Sequence, residues 1–203
     1  MKRGWIIAGS VAAVLLIAAF AYIRMRYANY NTPSGAMAPT LRTGAAFFVD
    51  RFAYRNDAPR RGDIVVFVPP ILSKNPFIKR IVAVPGDRFV IRAGHAVLNG
   101  RRVDEPYLTE KTDYDFAIEH YSVSSIGTRL DPQMAVVPPR TDWSAPDEVP
   151  RGCYVVLGDN RNNSEDSHVF GFFCPNRPSP MRPNDPPRLV GRVILPPYYQ
   201  PSR

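Results

Sequence analysis

Residues 5–23, WIIAGSVAAVLLIAAFAYI, run without a single charged side chain. A helix needs about 20 apolar residues to cross a bilayer core, and this run is about that long. A cleavable leader has a shorter apolar core, roughly 7–15 residues, although Ala18, Ala19 and Ala21 imitate the small residues of a cleavage site. The run is therefore expected to be a transmembrane anchor. It divides the chain into a short segment at 1–4, the anchor at 5–23 and a body at 31–203. Lys2 and Arg3 precede the run and Arg24 and Arg26 follow it, so charge gives only a slight N-in bias. Trp5, Tyr22 and Tyr27 stand where interfacial aromatics belong.

Beyond residue 30, short apolar segments are cut by Pro, Gly and Asn. The 22 prolines argue against long helices in the body, because an interior proline removes a hydrogen bond and clashes with the preceding turn. Segments 45–52, 63–68, 77–84, 88–91, 96–98, 154–157 and 189–195 read as strands. Asn99-Gly100, between 96–98 and 101–103, is a hairpin signal. Closely spaced strands of this kind predict a mainly β body, a sandwich or barrel. No internal repeat is evident. The polar, weakly periodic stretch at about 105–150 reads as an inserted cap or long loop, and 175–187 as a proline-rich tail packed on the body.

The formal charge of +8 invites a nucleic-acid reading. The arginines, however, are scattered singly or in pairs, with no basic helix or aromatic-basic ladder. A basic surface facing anionic lipid accounts for the excess, so membrane lipid is the expected partner and nucleic acid is not. Cys153 and Cys174 have neither metal spacing nor a CxxC pattern. Buried free thiols are one reading; a disulfide becomes open to them if the body lies outside the cytoplasm.

Three segments are unusual for a structural β protein. In Thr32-Pro33-Ser34-Gly35-Ala36-Met37-Ala38-Pro39-Thr40-Leu41, two prolines around a glycine fix an irregular path that could aim backbone N–H groups at one point, as an oxyanion hole requires. A linker turn would read the same way. In Pro76-Phe77-Ile78-Lys79-Arg80-Ile81-Val82-Ala83-Val84-Pro85-Gly86-Asp87, strand alternation groups Lys79 with Phe77 and Ile81, and Arg80 with Ile78 and Val82. One of the two cations must therefore face apolar material. A desolvated lysine loses proton affinity and can act as a general base, whereas a lysine at a barrel rim simply snorkels to water. The third segment, Gly158-Asp159-Asn160-Arg161-Asn162-Asn163-Ser164-Glu165-Asp166-Ser167-His168, reads as a loop knitted by side-chain-to-backbone bonds. A calcium loop starting at Asp159 fails, because Arg161 and Ser164 fall where a ligand oxygen and the turn glycine belong. A Ser/His/Asp site using Asp166 and His168 is another reading, but two residues so close in sequence do not diagnose one.

Taken together and in order, these segments resemble the signature boxes of bacterial type I signal peptidases. PSGAMAPTL is similar to that family's nucleophile box, normally Pro-Ser-x-Ser-Met-x-Pro-Thr-Leu. Arg61-Gly62-Asp63-Ile64-Val65 resembles the next box, IKRIVAVPGD the lysine box and GDNRNNSEDS the last. The resemblance implies a Ser/Lys endopeptidase that removes signal peptides from exported preproteins, without metal or cofactor. It implies one membrane anchor and a catalytic body on the extracytoplasmic side of the plasma membrane. Lys79 corresponds to the base, Ser164 to the serine that orients it, and Ser34 to the hydroxyl that helps the nucleophile's own N–H bind the oxyanion. Asp159 and Asp166 match supporting acids. Met37 and the strand at 45–52 are candidates for shallow apolar substrate pockets, or else ordinary core.

Two positions depart from the family pattern. Ala36 stands where the nucleophilic serine is expected, and His168 where arginine is usual. The second change should make an ion pair to Asp166 pH-dependent or remove it. Ala36 admits three explanations. A deliberate Ser→Ala substitution, made to hold substrate or prevent self-cleavage, explains why Lys79, Ser164 and Ser34 all remain. A natural inactive homologue that binds exported chains is the non-enzymatic alternative. A shifted register with Ser34 as nucleophile is the third. Within the enzyme class, a specialised conjugation or pilin-processing peptidase is a variant.

Overall fold

The computed structural model describes residues 2–73, 75–119, 122–126, 146–178 and 184–195. Parts of the expected insertion at 105–150 and of the proline-rich tail at 175–187, namely 120–121, 127–145 and 179–183, lie outside the described residues. Helix α1 spans Lys2–Arg26. Its stretch at 9–26 is long and apolar enough to cross a membrane, and none of that stretch is buried against the body. The helix runs directly into strand β1, Tyr27–Asn31. The joint is pinned: Arg26 grips the buried Asp50 carboxylate at 2.8 Å, and Arg51 N donates to Arg26 O at 2.8 Å.

The body is built from two antiparallel sheets. Strands β2 (Ala46–Asp50), β3 (Ile64–Val68), β4 (Phe77–Ala83) and β5 (Phe89–Arg92) follow β1. After them come β6 (His95–Leu98), β7 (Arg101–Arg102), β8 (Asp115–Glu119), β9 (Ser122–Ile126), β10 (Val155–Leu157) and β11 (Arg188–Ile194). The first sheet has the order β1-β2-β11-β3-β4-β10 and the second β7-β6-β5-β8-β9. β11 returns from the far end of the chain to lie between β2 and β3. Gly191 permits that insertion, since a Cβ there would meet Asp50 O at 2.5 Å.

Strand β3, IVVFV, is buried along its whole length because both faces of the first sheet are covered. Ile64 and Val66 pack with Met37, Leu41, Phe47, Val49 and Val193 on one face. Val65 and Phe67 pack with Ile81, Tyr154, Val156 and Phe173 on the other. A third cluster joins the edge of the first sheet to the second through Val155, Leu157, Phe89, Ile91 and Phe116. The mainly β expectation therefore holds, and so does the Asn99-Gly100 hairpin, with Asn99 and Gly100 both at positive φ.

The body departs from the sequence reading in two places. Strand β1 forms from YANYN, whose polar alternation hid it. In the stretch at 105–150, β8 and β9 form a hairpin that extends the second sheet through pairing of β8 with β5. Phe116, Ala117 and Ile118 of β8 are buried, so this part of the stretch belongs to the core. Cys153 and Cys174 are joined in a disulfide.

Candidate active site

Residues 33–41 reach the site through a tight path. Ala38 N donates to Gly35 O at 3.0 Å and Leu41 N to Met37 O at 2.8 Å. Met37 and Leu41 are sunk in the core, which leaves residue 36 at the wall of a cleft of about 260 Å³. Ser34, Ala36, Met37, Phe77, Lys79 and Glu165 are among the residues that line it. No residue of β2 does; Phe47 and Val49 of the expected pocket strand are core, and Phe48 is exposed. Met37 is both core and lining, with 1% of its surface exposed.

Of the two adjacent cations in β4, Lys79 takes the apolar side, 4% exposed with its Nζ 5.3 Å from the Phe77 ring centroid. Burial lowers its proton affinity below that of a free lysine; Asp166, Glu165 and Asp159 oppose this from a distance. Arg80 turns the other way. It forks onto Asp159, Nε to Oδ1 at 2.8 Å and Nη2 to Oδ2 at 2.6 Å. Asp159 also accepts from Thr40 Oγ1, which ties the first segment to the last.

The loop after β10 lies directly on residue 36. Asn160 N donates to Ala36 O at 3.0 Å, and Asn160 Nδ2 to Gly35 O at 3.1 Å. Contact is so close that a Cβ on Gly158 would sit 2.5 Å from Ala36 O and 2.2 Å from Ser164 Oγ, which is why glycine is required there. Ser34 Oγ accepts from Ala36 N at a long 3.5 Å. Ser164 donates its hydroxyl proton to Asp166 Oδ2 at 2.5 Å, which leaves its oxygen lone pairs free to accept from an amine.

Asp166 is fully buried and collects donors from three further sides. Gly158 N reaches Oδ2 at 2.8 Å, His168 N reaches Oδ1 at 3.2 Å and His168 Nδ1 sits 2.7 Å from Oδ1. Burial opposes ionisation, but His168, Lys79 and Ser164 outweigh it and hold the Asp166 carboxyl below its usual range. Of the two outcomes expected of histidine at this position, the contact to Asp166 is kept rather than lost. It is held in place by stacking on Tyr114, ring centroids 4.5 Å apart.

Behind the loop, Arg161 is buried and forks onto Glu105 at 2.6 and 2.9 Å, while its Nε donates to Gly158 O at 3.1 Å. Glu105 also accepts from Tyr107, over whose ring Arg80 lies at 4.0 Å. The sequence reading missed Thr40, Arg80, Glu105, Tyr107, Arg161 and Tyr114. Arg80 and Arg161 stood inside the recognised motifs, whereas nothing near Glu105 pointed to a partner 56 residues away. Among the described residues, no group of three or more His, Cys, Asp or Glu side chains is placed to hold a metal ion.

The family described as signal peptidase, peptidase S26, matches residues 3–177 of this chain. The chain belongs to that family. Signal peptidase I of Leptolyngbya laminosa is 33% identical over 147 residues, which cover 69% of this chain and 59% of that one. Probable signal peptidase I-2 of Synechocystis sp. is 35% identical over 145 residues, 69% of this chain and 54% of that one. These matches span little more than half the length of those two relatives. Signal peptidase I of Bacillus caldolyticus matches more evenly, 33% identical over 180 residues, 87% of this chain and 86% of that one. Type I signal peptidases are serine endopeptidases; of the four segments that resemble their boxes, three contribute to the cleft, through Ser34, Ala36 and Met37, through Lys79, and through Asn163 and Glu165, while Arg61–Val65 does not.

Proposed function

We propose that this chain is a membrane-anchored serine endopeptidase of the signal peptidase I type whose nucleophile position is held by Ala36, so that as written it binds signal peptides without cleaving them. The observation that carries this reading is the meeting of residue 36, Ser34 and a buried Lys79 on one cleft wall. Residue 36 lines the same cleft as Lys79, which is where this reading puts the missing hydroxyl. In this reading a neutral Lys79 amine takes the hydroxyl proton as general base. Ser164, its own proton given to Asp166, orients the amine by accepting from it. The N–H of residue 36 and the Ser34 hydroxyl receive the oxyanion. Asp159 and Asp166 hold the loops in register, and Met37 contributes to the apolar lining that small substrate side chains enter. The α1 helix tethers the body at the membrane, on the extracytoplasmic side, where preproteins emerge.

Ala36 itself favours a second reading, a membrane-tethered homologue that binds signal peptides and never cleaves. One experiment separates the two. A preprotein in lipid is offered to the chain and to its Ala36→Ser form, with binding and cleavage followed together. Binding by both and cleavage by the Ala36→Ser form alone supports the enzyme reading. Binding by both with cleavage by neither supports the binder, and equal cleavage by both moves the nucleophile elsewhere, with Ser34 the first suspect.

A further inference from the structure

Beside the end of the anchor, the turn after β2 contributes to a second cavity, of about 460 Å³, whose lining includes Arg51, Tyr54, Arg55, Tyr154 and Asn176. Its place is set by α1. Arg51 N is bonded to the carbonyl of Arg26, the last residue of the helix. Phe52 packs edge-on against Tyr22, one turn earlier, with ring centroids 6.0 Å apart, and the Arg55 guanidinium lies 3.3 Å over the Phe52 ring. The cavity therefore sits level with the end of the stretch that is apolar enough to cross a bilayer. Lipid headgroups occupy that level, and aromatic and arginine side chains are favoured there.

The charge at this place is one-sided. Arg51 and Arg55 are exposed, and neither is paired with a carboxylate among the described residues. The lining holds one carboxylate, Asp57, against these two guanidinium groups. Asp50, the nearest acid to the joint, is already neutralised by Arg26. Two forked cations with free donors, over a partly aromatic recess at headgroup depth, suit a phosphate diester.

We propose that this cavity is a binding site for the phosphate of an anionic phospholipid headgroup, held by Arg51 and Arg55 beside the end of α1. The inference rests on the reading of α1 as a membrane span. The bound headgroup would fix the turn at 51–58, and with it the first sheet, against the bilayer surface.

The test uses the full chain in zwitterionic micelles doped with phosphatidylglycerol or phosphatidylcholine, with retained lipid measured by native mass spectrometry. The expected result is preferential retention of phosphatidylglycerol, undisturbed by inorganic phosphate. Each arginine should contribute about tenfold or more, as hydrogen bonds to a charged group do. R51Q/R55Q should therefore weaken retention about a hundredfold, while R24Q/R60Q, the same charge change outside the lining, should alter it less than about threefold. Circular dichroism confirms that each variant is folded. Equal retention of both lipids, or equal losses in the two double variants, would overturn the site; displacement by inorganic phosphate would make it a soluble-anion site instead. Carbonate extraction of the same chain from membranes tests the span separately. Release into the soluble fraction with Arg51-dependent lipid retention intact would sink the span and leave the headgroup site standing.

Discussion

At Lys79 the side chain is 4% exposed, and burial is the largest influence on its amine. Its folded pKa lies below the ordinary lysine value near 10.4, so the neutral amine is reached at lower pH than on a free chain. In the Ala36→Ser form the cleavage rate should rise with pH through an apparent pKa clearly below about 10.4. A pH–rate profile checks this, and full activity in Ala36→Ser/Lys79→Ala would remove Lys79 from the role. The sign for stability follows from the same burial. Between its folded pKa and about 10.4 the unfolded chain binds more protons at this residue, so the Lys79 contribution improves as pH rises. Asp166 behaves in the opposite sense. Its folded pKa is depressed, so its stabilising contribution is complete above about 3.9 and is lost as pH falls through the folded value. Asp166→Asn replaces one acceptor oxygen by a donor that faces Ser164, Gly158 or His168. Removing one partner from a buried charged network costs about 3–5 kcal/mol, and the urea midpoint should fall accordingly. A midpoint unchanged across the variant would show that the network carries no stability.

The loop between β10 and the short helix α2, Ser167–Phe170, is the element on which the cleft depends, and it is held from behind. Glu105→Gln would leave the Arg161 guanidinium buried without its counter-charge, again a loss of about 3–5 kcal/mol. The loop touches residue 36 through Asn160 and Gly158, so activity of the Ala36→Ser form should fall with it. A Glu105→Asp variant that recovers activity more than stability would mark Glu105 as positioning the loop; loss of stability alone would mark it as structural. The Cys153–Cys174 bridge encloses the same loop, with a separation of 21 residues. In the chain-entropy account it is worth about 3 kcal/mol, so reduction should lower the urea midpoint by a matching amount. What the sequence made legible here were local signals: the apolar run of α1, the Asn99-Gly100 turn, and the Lys79/Arg80 alternation that put one cation in apolar surroundings. The rest depended on long-range partners. The hairpin β8–β9 was hidden because its pattern carries meaning only against β5, and β1 because its polar residues are paired with β2. The role of Glu105 is invisible until folding brings Arg161 to it.

At the scale of the whole molecule, the fold brings three separated segments to a single cleft. The first sheet carries Lys79 on β4, the path at 33–41 supplies residue 36, and the loop after β10 closes over both. The connection between β7 and β8 supports that loop through the Glu105–Arg161 pair. In the proposed mechanism, Ser34, Lys79 and Ser164 serve a hydroxyl that residue 36 lacks. Carbonate extraction should leave the chain in the membrane pellet, as a retained α1 requires, and recovery in the soluble fraction would contradict that. The most direct test of the central claim is the single-turnover rate of preprotein cleavage in lipid by the chain and by its Ala36→Ser form. Restoring a missing nucleophile should raise the rate by about 10⁶-fold, from a background that the remaining binding and oxyanion contacts alone sustain. Indistinguishable rates for the two forms, at saturating enzyme and with substrate bound by both, would contradict residue 36 as the nucleophile position.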